Sequence, residues 1–99
     1  MSVGELDPLI HATARLRVMA TLAALPVGDT LSFTRLQDMI GLSAGNLITH
    51  LRKLEGADYV RTAKSGDGAS SRTQVAITQR GRTALREYSA QLRKIIDGL

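Results

Sequence analysis

The chain has no cysteine and no tryptophan, and only one phenylalanine, two tyrosines and two prolines among its 99 residues. Without cysteine there is no disulfide, zinc ribbon, thiol redox centre or thiolate metal sensor. With so few aromatics, the core has to be built from Leu, Ile, Val, Ala and Met. No run reaches the roughly 18 apolar residues of a membrane-spanning helix. The opening MSVGELDP has neither the basic nor the apolar region of a signal peptide. A chain of this length fits one domain, and the expected location is the cytoplasm.

Catalytic chemistry is also poorly supplied. There are two histidines, His11 and His50, with no paired carboxylates and no glycine-rich phosphate loop. Asp7 and His11 have helical i,i+4 spacing, but Asp7 is better suited to capping a helix. No enzyme activity, metal or cofactor is expected.

What is present is an uneven charge. The net charge is +4; residues 1–30 carry −1, while residues 31–99 carry eleven cations against six anions. A positive excess favours a polyanionic partner, although surface Lys and Arg also serve solubility alone.

Punctuation divides the chain into short elements. Asp7-Pro8 reads as a helix start, with apolar residues from Leu9 to Ala23 near helical spacing and a stop at Pro26. Thr30-Leu31-Ser32 reads as a short strand. Ser32 caps a second helix whose apolar side carries Phe33, Leu36, Met39 and Ile40. Gly41 ends it, and Ser43 caps a third helix running to about Gly56. Two helices joined by only Gly41-Leu42-Ser43 form a helix-turn-helix. Residues 59–64 and 72–78 are rich in β-branched residues and read as a hairpin with a long tip. Thr78 caps a last helix over about 79–97. The fold class is therefore mainly α with a small β-hairpin: a winged helix-turn-helix in one domain spanning residues 1–99.

The stretch LSFTRLQDMIGLSAGNLITHLRKLEGADYV, the hairpin, and the ITQRGRTAL that opens the last helix resemble the MarR/ArsR-type winged-helix transcriptional regulators of bacteria. More narrowly, the chain is similar to the short stand-alone winged-helix DNA-binding proteins of about 100 residues. LDPLIHATARLRVMATL, THLRKLE and the T-x-x-G start of the last helix carry that likeness. The resemblance implies a homodimeric regulator on double-stranded DNA, with residues 43–56 in the major groove and residues 59–78 on the flanking backbone or minor groove.

At 100° per residue, Leu47, Leu51 and Leu54 fall within about 60° of one another and form a buried stripe. Gly45, Asn46, Thr49, Arg52 and Lys53 lie opposite. Asn, Thr, Arg and Lys have the donors and acceptors that bases and phosphates require. Small Ala44 and Gly45, with the capping Ser43, let the positive helix end approach a phosphate. His50 lies at the border, suited either to a base contact or to a bond with a neighbouring helix. Arg35 opens the helix that crosses the backbone. Lys64 and Arg72, with Arg61, Ser65, Ser70 and Ser71, are available to phosphates from the wing.

Two departures from the pattern stand out. The wing tip reads Gly66-Asp67-Gly68-Ala69 where similar proteins are more basic, so contact is expected from its base. Asp58 occupies a position that usually holds glycine in a left-handed conformation, which Asp tolerates better than most residues.

The first helix, about 8–25, and the last, 79–97, carry more apolar surface than so small a core absorbs. Leu9, Leu85, Tyr88, Leu92, Ile95, Ile96 and Leu99 are the expected interface of a two-fold homodimer, which matches a palindromic operator. A protein-interaction module without DNA specificity is the alternative, favoured by the acidic wing tip. No small-molecule effector site is legible.

Overall fold

The computed structural model describes residues 5–66 and 72–98. Its elements are α1 (Thr13–Ala23), β1 (Leu31–Ser32), α2 (Phe33–Ile40), α3 (Ala44–Gly56), β2 (Val60–Ser65), β3 (Arg72–Ile77) and α4 (Gln79–Asp97). The three strands form an antiparallel sheet in the order β1-β3-β2. Leu31 is opposite Val75, and the hairpin runs in register from Val60 opposite Ile77 to Ser65 opposite Arg72. The winged helix-turn-helix expected from the sequence is the fold observed.

The caps follow the residues chosen for them. Ser32 Oγ accepts from the Arg35 amide, Ser43 Oγ from the Asn46 amide and Thr78 Oγ1 from the Gly81 amide. Gly41 ends α2 with φ 77°, and Asp58 has φ 62° after α3, the left-handed turn anticipated for it.

The start of α1 differs from expectation. Asp7 does cap, but it caps a separate turn: its Oδ1 accepts from the Leu9 amide and its backbone carbonyl from the His11 amide. The chain then extends at Ala12, which precedes α1 without a side-chain cap. This break drives Ile10 fully into the core. Arg15 Nε donates to the Leu9 carbonyl, supplying a partner that an unbroken helix would have provided. The second oxygen of Asp7 accepts from the Tyr59 hydroxyl at 2.6 Å. That hydrogen bond, aided by burial, pushes the phenol up to about 12.

The core joins Val18, Met19 and Leu22 of α1, Leu36 and Ile40 of α2, the three leucines of α3, Val60, Val75 and Tyr88. Met39, expected on the buried side of α2, is 48% exposed; the eight-residue helix rolls Leu36 and Ile40 inward and leaves Met39 at the margin. At the other end of α1, the Arg82 guanidinium donates to the carbonyls of Ala23 and Leu25. This supplies the cation that the last turn of α1 lacks.

Helix α4 is long for its body. Its first half packs on α1, while Ile95 and Ile96 near its end are exposed. The radius of gyration, 14.5 Å, exceeds the roughly 13 Å of a compact chain of 100 residues. The extents of 52 × 25 × 21 Å reflect the same elongation. No described helix is long and apolar enough to cross a membrane.

Candidate nucleic-acid interface

Helix α3 turns its leucine stripe to the core and presents the rest. Leu47, Leu51 and Leu54 are buried; Ser43, Ala44, Gly45, Asn46, Thr49, Arg52 and Lys53 are all exposed. Nothing lies within 4 Å of a Cβ built on Gly45, so the first turn is open to close approach. Ser43 uses an acceptor lone pair for its cap, and the hydroxyl proton stays free for a phosphate oxygen. Thr49 Oγ1 donates to the Gly45 carbonyl at 3.0 Å. Its proton is therefore engaged within the helix, leaving lone pairs and the γ-methyl to face outward.

His50 is the exception in this set. Arg15 reaches across from α1 and places a guanidinium nitrogen 3.3 Å from Nδ1 of His50. A guanidinium only donates, so Nδ1 accepts and the neutral ring carries its proton on Nε2. Burial first, then the positive charges of Arg15 and Lys53, hold the imidazole below its ordinary pKa. Of its two nitrogens, Nε2 alone remains for an outside partner.

The second helix contributes its N-terminus. Ser32 and Thr34 lie beside the base of the wing, where they line a shallow depression with Phe33, Arg72 and Thr73. The pairing explains this: β1 runs beside β3 up to Ser32 opposite Gln74, so the first turn of α2 continues along Thr73 and Arg72. The arrangement joins the N-terminus of α2, the hydroxyls of Ser32 and Thr34, themselves 3.4 Å apart, and a guanidinium, a set suited to an anion. Arg35 is exposed one position further on.

On the wing, Lys64 pairs across from Thr73 and Ser65 from Arg72. Alternation along the strands therefore puts Lys64 on the sheet face that carries Val60 and Thr62, and Arg72 on the opposite one. The two cations expected to act together flank the wing rather than share a side. Asp67, Ser70 and Ser71 lie outside the described residues.

One residue was missed by sequence reasoning. Glu55 Oε2 accepts both the backbone amide and the hydroxyl of Thr62, at 3.3 and 2.9 Å. It ties the end of α3 to the wing and so fixes the angle between them. Seven residues separate the pair across a turn, a spacing that periodicity does not flag.

Of the apolar residues expected on a partner-facing surface, Tyr88 is corrected. It is 4% exposed within its own subunit, and its hydroxyl is hydrogen-bonded to His11 Nδ1 at 2.8 Å. Leu9, Leu85 and Leu92 are half-buried against the core, whereas Ile95 and Ile96 are open. Leu99 lies outside the described residues.

Comparison with known proteins agrees with the fold. The model of the winged helix DNA-binding domain matches residues 14–96. The chain belongs to that family. An uncharacterized protein of Methanocaldococcus jannaschii is 32% identical over 80 residues, covering 81% of this chain and 84% of the relative. Among solved structures, a transcriptional regulator homologue from Pyrococcus horikoshii superposes with a TM-score of 0.81 at 30% identity, over 91% of this chain and 86% of that one. AbsC, a MarR family transcriptional regulator from Streptomyces coelicolor, shares the fold at 20% identity with a TM-score of 0.68. It matches over 93% of this chain and 64% of its own length. This winged-helix chain thus has the fold of the MarR-type regulators, and its family is one of DNA-binding domains.

Proposed function

We propose that this winged-helix chain is a homodimeric, sequence-specific transcriptional regulator that reads double-stranded DNA. The observation that carries the reading is the exposed face of α3, where Gly45, Asn46, Thr49, Arg52 and Lys53 stand opposite the buried leucines. Arg52, Lys53 and Asn46 contact bases and phosphates in the major groove. Ser43 and the first turn of α3, together with Arg35 and Arg72, take backbone phosphates, and Lys64 reaches the backbone from the wing. His50 acts chiefly through Arg15.

The exposed end of α4 supports the dimer. Ile95 and Ile96 are exposed among the described residues, next to the half-buried Leu92, and a two-fold pairing of these ends is the simplest closure. Such a dimer presents two copies of α3 to half-sites about 34–36 Å apart, the repeat of one DNA turn, on a palindromic operator.

Fluorescence anisotropy on fragments of the source genome, across a salt series, tests the reading. The expected result is a preferred site, with affinity falling steeply as salt rises. Arg52→Ala and Lys53→Ala should each weaken binding about tenfold or more while leaving the thermal midpoint in place. Absence of binding at low salt overturns the reading, and undiminished affinity in both variants moves the interface off α3. Light scattering should give a dimer mass that Ile96→Asp converts to a monomer mass.

A further inference from the structure

The outward half of α3 holds one large apolar side chain. Ile48 is 40% exposed, one helical step from Leu47 on the side facing the wing and adjacent on the surface to Arg52. A β-branched residue at an exposed helix position gains neither propensity nor burial. Between α3 and the wing, Ile48 helps line a notch of about 250 Å³ with Phe33, Leu51, Arg52, Thr62 and Thr73. Its remaining wall residue, Glu55, is exposed, and its Oε2 accepts both the amide and the hydroxyl of Thr62. The apolar part of the lining is Ile48, Phe33 and Leu51.

Arg52 lines the notch, and Lys64, opposite Thr73 in the hairpin register, shares the sheet face of Thr62. An apolar hollow with cations close by suits a polyanion that carries a small apolar group. In the major groove one base-edge group is of that kind, the C5-methyl of thymine.

We propose that Ile48, backed by Phe33, receives the methyl of a thymine and makes Ile48 a specificity-determining residue for a T·A pair in each half-site. This rests on α3 being the groove-entering helix. Asn46, Arg52 and Lys53 read hydrogen-bonding groups and phosphates; Ile48 separates thymine from cytosine, which presents no methyl in unmodified DNA.

The test starts from duplexes enriched by the intact protein from a randomised pool. Each thymine of the enriched sequence is then replaced singly by deoxyuridine, which keeps the pairing and removes only the methyl. One thymine per half-site should show a loss of about fourfold in affinity, the worth of one buried methyl group. In Ile48→Ala the same replacement should change affinity less than about twofold, because the two deletions remove one shared contact. Ile48→Val, which keeps most of the side chain, should retain the penalty. Tolerance of deoxyuridine at every position overturns the inference while leaving DNA reading intact. A penalty that persists in Ile48→Ala assigns the methyl to another residue and also overturns it. Failure to enrich any duplex removes the DNA reading itself, and this inference with it.

Discussion

Arg15 of α1 donates to Nδ1 of His50 on α3 across 3.3 Å, so α3 is tied to α1 through a neutral imidazole. The folded pKa of His50 is held below its ordinary 6.5 by burial and by Arg15 and Lys53. As pH falls through 6.5, the unfolded chain binds a proton that the folded chain resists, and stability drops with it. The contribution is fully present above 6.5 and declines below it. Thermal midpoints measured from pH 7.5 to 5.5 should therefore fall further in the native chain than in His50→Gln. Parallel curves would show that the imidazole does not titrate against the fold.

Gly81→Ala should destabilise the protein although it improves helix propensity. Propensity alone favours alanine by about 1 kcal/mol. A Cβ at this position, however, collides with the Tyr59 carbonyl oxygen and lies 2.9 Å from Cγ1 of Ile77. That carbonyl also accepts from the Thr78 amide, so it is not free to swing aside. Overpacking costs about 1–3 kcal/mol and outweighs the propensity gain. Urea denaturation should show a lower midpoint, and a raised midpoint would mean that the strand yields.

Arg82 should matter to stability and not to DNA. Its two donors satisfy the carbonyls of Ala23 and Leu25, at 3.1 and 3.0 Å, where Pro26 stops α1. Hydrogen bonds from a charged group contribute about 1.5–3 kcal/mol, and Arg82→Ala should lower the unfolding free energy by that order. Lysine presents a point charge rather than a fork, so Arg82→Lys should recover only part of the loss. An Arg82→Ala chain as stable as the native one would show that water replaces the fork without cost.

Asp58→Gly should raise stability by up to about 1 kcal/mol, since a left-handed conformation costs a side-chain-bearing residue about 1–2 kcal/mol. The ion pair it gives up, Asp58 with Arg61 at 3.8 Å, is exposed and adds little. Asp58→Val should be less stable than the native chain. Calorimetry that reverses the order of these two variants would refute the strain argument.

Legibility in the sequence followed the range of the forces involved. Ser32, Ser43 and Thr78 announced their helices because a cap acts within three residues. The leucines of α3 announced their burial because helical spacing is local, and Asp58 announced its turn. The start of α1 is not legible because Asp7 does cap, but the turn it caps stops at Ile10. Arg15 and Tyr59, both distant in the chain, complete that segment. Tyr88 fits the apolar stripe of α4 as a partner-facing residue would; its placement depends on His11, 77 residues away. At the candidate interface the exposed polar set on α3 followed from periodicity. Glu55 and the notch at Ile48 exist only once the hairpin has folded against the helix.

Thr78 is the single residue between β3 and α4. Its hydroxyl donates to the Asp58 carbonyl at 2.6 Å and accepts from the Gly81 amide, so one side chain clasps the end of the turn after α3 to the first turn of α4. A connection of one doubly bonded residue has no slack. The first turn of α4 therefore cannot tilt without drawing on the turn after α3. The turn after α3, the end of the hairpin and the first turn of α4 are thereby fastened together at one residue.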